Sequence, residues 1–421
     1  MKGIYADAAK GGGIMTYTDK IYEVGERPPL GIIPRKMYAW TIRNERLGSP
    51  ETAFRVELVD VPEIRDDEML VYNMSAGINY NGIWAARGIP KNVVDSNGDY
   101  FDEKQDFHIC GSESSGIVYA VGKNVRNYKV GDAICAGGSK YSPDDSDVIA
   151  GMDPCFSPSY HIWGYEGNYG AFAQFSRVQE CQCVRIADNL NYDEAAAAYA
   201  TGVTAYRMLT RWEGNTLKKG DVVLIWGGAG GLGLSAVQIT AAMGGIPVAV
   251  VSSDSKGELC KKMGAAGYIN RTKFSHWGNI NGLSAREYRS WMAQAAKFRR
   301  TIWNIVGEKK SPAIVLEHPG RDTLPTSLFV CDNGGMVVLC GATSSYNADI
   351  DLRFLWLNQR RIQGSHAGTQ KDAEEYIELI EKHDIHPYIG KIYNWSELPK
   401  AHMELENNIY NGKLVIRIGA E

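Results

Sequence analysis

The chain has 421 residues, 44% hydrophobic and 22% charged, which is enough apolar material for more than one buried core and excludes a disordered chain. A formal net charge of −4 gives no global attraction to nucleic acid or to an anionic membrane. No apolar run nears the roughly 20 residues of a membrane span, and the N-terminus lacks the basic-then-apolar order of a signal peptide, so a cytoplasmic protein is expected.

Residues 1–40 are rich in glycine and proline and read as an N-terminal arm. From Thr41 to about Asp188, short β-type runs split by turns (Phe54–Val59, Met69–Asn73, Gly116–Val121, Ala171–Val178) predict a mainly β domain. Cys181 and Cys183 read as half-buried thiols on one face of a strand-like segment, Phe175–Ile186. The eight cysteines form neither a disulfide framework nor paired zinc clips. An alanine-rich helix is expected over Tyr192–Trp212, followed by alternating strands and helices from Asp221 to about Gly341, then a helix at Lys371–His383 and a closing strand at Lys413–Ile418. The fold class is therefore α/β: a mainly β catalytic domain, 41–205 with a return segment 363–421, around a doubly wound parallel-sheet nucleotide domain, 206–362. Such an insertion predicts a cleft between the domains, where pockets tend to form.

Within the nucleotide domain, Val222–Gly233 reads VVLIWGGAGGLG, an apolar strand running into a glycine turn and then a helix. Gly228, Gly230 and Gly233 stand in G-x-G-x-x-G spacing, with Leu232 in the turn, and a second strand follows at Ile246–Val251. The helix N-terminus would offer free N–H groups to a pyrophosphate. After the second strand come Ser252, Ser253, Asp254, Ser255 and Lys256, where NAD enzymes place an acidic residue. Two hydroxyls and a lysine, with Arg271 beyond the next strand, suit a 2′-phosphate and favour NADPH; Asp254 would mark NAD if the strand ended later. Residues Phe274–Pro312 carry Lys297, Arg299, Arg300, Lys309 and Lys310 among tryptophans. They read equally as a solvated amphipathic helix or as a cationic landing strip for a phosphorylated substrate.

The domain order resembles the medium-chain dehydrogenase/reductase superfamily, which implies a GroES-like catalytic domain beside a Rossmann domain. Where zinc members carry a metal-binding histidine after a glycine, this chain has Ser112. Where they carry the first cysteine ligand it has Ile78-Asn-Tyr-Asn81, and the four-cysteine cluster has no counterpart, so no metal is expected. The closer resemblance, from about Gly31 to Ile418, is to crotonyl-CoA carboxylase/reductases. It rests on INYN (Ile78–Asn81), IWGYE (Ile162–Glu166), TAYRML (Thr204–Leu209), LIW (Leu224–Trp226), GYINR (Gly267–Arg271), IVLEHPG (Ile314–Gly320, with Leu316 where the family tends to have phenylalanine) and RIQGSH (Arg361–His366).

That resemblance implies reductive carboxylation: NADPH reduces the β-carbon of crotonyl-CoA, and the enolate captures carbon dioxide to give ethylmalonyl-CoA. The catalytic set it implies is Asn81 and His366 as donors, the backbone N–H of Tyr165, and Glu166 as an orienting carboxylate. Arg353 matches a CoA-binding arginine, with Lys297 as a second contact, and a homotetramer is the favoured assembly. Ala367 stands where relatives often have an aromatic residue, which would admit water and favour protonation of the enolate. An enoyl-CoA reductase that does not carboxylate is therefore the alternative, and a crystallin-like NADPH-binding protein a further one.

Overall fold

The computed structural model describes residues 4–7, 15–96 and 104–419, and the chain divides into two compact units, residues 1–200 with 368–421 and residues 201–367. Both boundaries lie five residues from those expected. The first falls inside a helix, Tyr192–Thr210, where composition does not change; the second falls just after His366.

In the first unit, seven strands form one sheet. Its order is Cys183–Arg185, Ala133–Gly137, Glu113–Val121, Glu68–Ile78, Lys413–Arg417 and Ile389–Tyr393, with Phe175–Gln179 also paired to Glu68–Ile78. All eleven residues of Glu68–Ile78 are buried, so the strand runs five residues beyond the expected Asn73 without the polar alternation that would reveal it. The return segment completes this sheet, since Leu414 pairs with Ile78 and Arg417 with Ser75. A three-stranded sheet, Arg55–Asp60, Lys36–Ile42 and His108–Ile109, packs beside it.

Two expectations change here. The arm contains strands at Ile4–Asp7, Met15–Thr18 and Ile32–Pro34, and Lys36–Ile42, which begins inside the expected arm and runs past its end at residue 40, is a strand with five buried residues. Gln174 Nε2 donates to the Tyr22 carbonyl at 3.1 Å and Tyr119 donates to the Pro28 carbonyl at 2.6 Å, so residues 22–28 are held by buried side chains. The cysteine segment is not one strand. A 3₁₀ turn, Glu180–Gln182, separates Phe175–Gln179 from Cys183–Arg185, so Cys181 lies in the turn and only Cys183 in a strand.

The second unit is a six-stranded parallel sheet. In space its order is Gly267–Asn270, Ile246–Val251, Val222–Trp226, Ile314–Glu317, Met336–Leu339 and Arg361–Gly364, the 3-2-1-4-5-6 order of a doubly wound dinucleotide fold. The strand order reverses between Val222–Trp226 and Ile314–Glu317, so the ends of those two strands frame the ligand position. The amphipathic helix Ala285–Val306 buries Trp291, Ala295, Phe298 and Ile302, and the Phe298 ring stacks on Trp226 at 5.7 Å. A serine–glutamate capping box starts it and Gly307, in a left-handed conformation, ends it.

Candidate functional site

The glycine turn of the second unit is built for close approach. A Cβ on Gly233 would lie 2.3 Å from the Gly227 carbonyl oxygen, and one on Gly228 would lie 2.7 Å from the Ala249 Cβ. Gly230 differs: the nearest atom to its Cβ would be 3.4 Å away, leaving a cradle that a side chain would fill. Gly230 caps the helix Gly231–Ala242, whose first internal bond runs from Leu234 N–H to the Gly230 carbonyl at 2.9 Å. The N–H groups of Gly231, Leu232 and Gly233 therefore have no carbonyl of the preceding turn to bond and suit an anion.

The second strand ends at Val251, as expected, with Ser252 following and Ser253 capping the helix Asp254–Lys262. Asp254 is engaged by protein donors: its carboxylate accepts from Lys273 Nζ at 3.1 Å and Asn270 Nδ2 at 3.2 Å. Burial, and then the charge of Arg271, lower the Lys256 ammonium, so each cation lies within the other's field, as a shared anion would require. These residues fit NADPH.

The carboxyl end of Ile314–Glu317 carries two groups to which the sequence reading gave no role. Glu317 is fully buried and accepts from Gly320 N–H (3.1 Å), Thr323 Oγ1 (2.6 Å) and Ser327 Oγ (2.5 Å), and Ser327 in turn accepts from Trp226 Nε1 at 2.8 Å. Burial outweighs these donors and pushes the Glu317 carboxyl up to about 7. His318 lies under the glycine turn, since a Cβ on Gly227 would meet its Nε2 at 2.3 Å; burial lowers its imidazole. The motif IVLEHPG was visible, but only the fold places it against the turn.

In the first unit, three segments converge. Asn81 is the second residue of the helix Tyr80–Arg87, and its amide donates to Ser112 Oγ at 2.8 Å. The helix is seated closely: a Cβ on Gly82 would fall 2.3 Å from Nε2 of His402, a buried imidazole pushed down to about 4. Trp84, one turn after Asn81, meets the Tyr165 ring at 6.3 Å. The Tyr165 loop is tied to the Ser112 segment by Gly164, where a Cβ would lie 2.0 Å from the Gly111 carbonyl oxygen, and by the Ala171 N–H to Gly111 carbonyl bond at 2.8 Å. Within the loop, Tyr165 N–H donates to the Ile162 carbonyl at a long 3.2 Å, and Glu166 Oε2 accepts from Ile162 N–H at 2.9 Å. Asn81 and Ser112 are thus bonded directly, and the loop of Tyr165 and Glu166 is tied to the segment that carries Ser112. His366 belongs to the second unit, two residues after the strand Arg361–Gly364, and Ala367 beside it takes a left-handed backbone, φ 50°. Among the described residues, no group of three or more His, Cys, Asp or Glu side chains is placed to hold a metal ion.

The cationic strip is less free than the sequence suggested. Arg299 lies over the Phe329 and Trp303 rings at 4.8 and 5.1 Å, and Lys310 donates to the Gly220 carbonyl at 2.7 Å, so both serve packing. Lys297 remains exposed on the helix Ala285–Val306, with its ammonium 5.4 Å from the Phe274 ring centroid. Arg353 is clamped by Asp351, Nε at 2.9 Å and a terminal nitrogen at 2.6 Å, and that pairing pulls the Asp351 carboxyl down to about 2.

A GroES-like sheet unit with a dinucleotide fold inserted in its sequence defines the class, the two-domain dehydrogenases and reductases. Residues 65–188 match the alcohol dehydrogenase GroES-like domain, and residues 231–382 the zinc-binding dehydrogenase family. The chain is 41% identical to a crotonyl-CoA carboxylase/reductase of Cereibacter sphaeroides over 95% of its own length and 92% of the relative's. It is 34% identical to a crotonyl-CoA reductase of Streptomyces avermitilis, over 87% and 82%. Among solved structures, the crotonyl-CoA carboxylase/reductase AntE in complex with NADP superposes with a TM-score of 0.90 at 45% identity, covering 94% of this chain and 98% of that one. The 2-octenoyl-CoA carboxylase reductase CinF, in complex with NADP and 2-octenoyl-CoA, gives 0.84 at 30% identity, covering 92% and 88%. The chain belongs to the crotonyl-CoA carboxylase/reductase family of the medium-chain dehydrogenases and reductases.

Proposed function

We propose that this chain is an NADPH-dependent enzyme that reductively carboxylates crotonyl-CoA, or a similar enoyl-CoA, to ethylmalonyl-CoA. The carrying observation is the Asn81–Ser112 contact at 2.8 Å, where zinc dehydrogenases of this fold carry metal ligands, with the Tyr165–Glu166 loop tied to the neighbouring Gly111. When bound, NADPH supplies the hydride that reduces the β-carbon of the thioester. Ser112 takes one amide hydrogen of Asn81, which leaves the other to donate to a carbon dioxide oxygen and hold it for the enolate. The Tyr165 N–H, in a long bond to a turn carbonyl, is a second donor. Glu166 stiffens that turn by accepting from Ile162. His366 supplies a further donor, and is the proton source when carbon dioxide is missing.

Lys297 and Arg353 would meet the CoA phosphates, Arg353 by exchanging Asp351 for a phosphate. The small Ala367 favours protonation as a competing outcome, which is the second reading, an enoyl-CoA reductase. Incubation with crotonyl-CoA, NADPH and bicarbonate tests the two: carboxylated product supports the first, butyryl-CoA alone the second. The assembly we assign is a homotetramer in the cytoplasm. In its support, Arg361–Gly364 is an edge strand of its sheet, and Leu352, Trp356 and Leu357 nearby in sequence are 60, 65 and 59% exposed. No helix among the described residues is long and apolar enough to cross a membrane.

A further inference from the structure

A buried ion pair stands behind Asn81. Lys413, at the start of the closing strand, is 4% exposed, and Glu113, the residue after Ser112, is fully buried. Lys413 Nζ donates to Glu113 Oε1 at 2.5 Å, to Asn79 Oδ1 at 2.7 Å and to the Ile78 carbonyl at 3.3 Å, which uses all three ammonium hydrogens. Asn79 Nδ2 donates back to Glu113 Oε1 at 2.7 Å, closing a ring of three side chains, and Glu113 Oε2 accepts from Ala200 N–H at 2.6 Å. Room for the carboxylate comes from Gly77, where a Cβ would fall 2.1 Å from Glu113 Oε1.

Asn79 is also the N-cap of the helix Tyr80–Arg87, and asparagine is among the best residues for that post. Its side chain makes no cap bond, because both its amide groups are spent on Glu113 and Lys413. The helix entry is therefore fixed by the ion pair rather than by its own cap. Asn81 follows Asn79 by two residues, and its acceptor Ser112 precedes Glu113 by one. Both ends of the Asn81–Ser112 contact are thus set by one buried cluster that joins three strands. Such a pair is a poor device for stability, since desolvation offsets its attraction, but a good one for orientation.

We propose that Lys413 and Glu113 are positioning residues that hold the Asn81 amide in register with its carbon dioxide, and so set the partition between carboxylation and protonation. This rests on the functional reading above. The test is the ratio of carboxylated to protonated product, read by mass at fixed bicarbonate, for the full-length protein and for Lys413→Met, Lys413→Arg and the charge-neutral double variant Glu113→Gln/Lys413→Met, with the KM for NADPH measured alongside. A displaced Asn81 is expected to lower the ratio by about tenfold in Lys413→Met and in the double variant, with recovery in Lys413→Arg and the KM for NADPH unmoved. A ratio unchanged in Lys413→Met overturns the inference; if that variant does not fold, an unchanged ratio in the double variant does so. If the unaltered protein makes no carboxylated product, the functional reading falls and this inference with it.

Discussion

Asn81 and Glu317 are polar in opposite ways: in the proposed function Asn81 offers a hydrogen bond, whereas Glu317 is buried where it is reluctant to hold a charge. For Asn81, a donor to a reacting molecule is worth about 1–3 kcal/mol, or roughly five- to 150-fold in rate. Asn81→Leu is accordingly expected to lower the carboxylated share of product by that factor while NADPH oxidation persists. Equal loss of both activities would remove Asn81 from the role. For Glu317, the folded carboxyl titrates at about 7 against an ordinary 4.5, so the folded chain holds a proton that the unfolded chain has released. The resulting contribution, on the order of 3 kcal/mol, is fully present below about 4.5 and is lost as pH rises through about 7. The melting temperature of the unaltered protein minus that of Glu317→Gln is expected to fall between pH 5 and 8. A difference constant with pH would contradict the buried titration.

Among the elements, the glycine turn separates two effects that are usually confounded. Gly233→Ala places a methyl 2.3 Å from a backbone oxygen, an overpacking that costs about 1–3 kcal/mol, so both melting temperature and NADPH affinity are expected to drop. Gly230→Ala meets nothing nearer than 3.4 Å and is expected to raise the KM for NADPH with little change in melting, because its methyl enters the phosphate cradle. Equal melting losses in the two variants would count against this difference.

This turn and the strand Ile246–Val251 were legible in sequence, since local periodicity and glycine spacing define them. Asn81, Tyr165 and Glu166 were readable only through family motifs. Nothing local revealed that Asn81 bonds Ser112, or that Lys413 reaches Glu113 across 300 residues, because sheet neighbours are set by strand order and not by sequence distance. Arg353 is the converse case: its partner Asp351 stands two residues away and was in plain view, but only geometry made it a clamp.

At the scale of the whole molecule, the exposed apolar residues of the second unit suit association with further copies. Trp356→Asp with Leu357→Asp is expected to shift the mass in solution, read by light scattering, from that of the proposed tetramer towards smaller species. An unchanged mass would place the contacts elsewhere.

The central claim concerns what becomes of the enolate. With crotonyl-CoA, NADPH, bicarbonate and carbonic anhydrase, the mass of the CoA product decides it: ethylmalonyl-CoA is expected, and butyryl-CoA alone would contradict the carboxylase assignment.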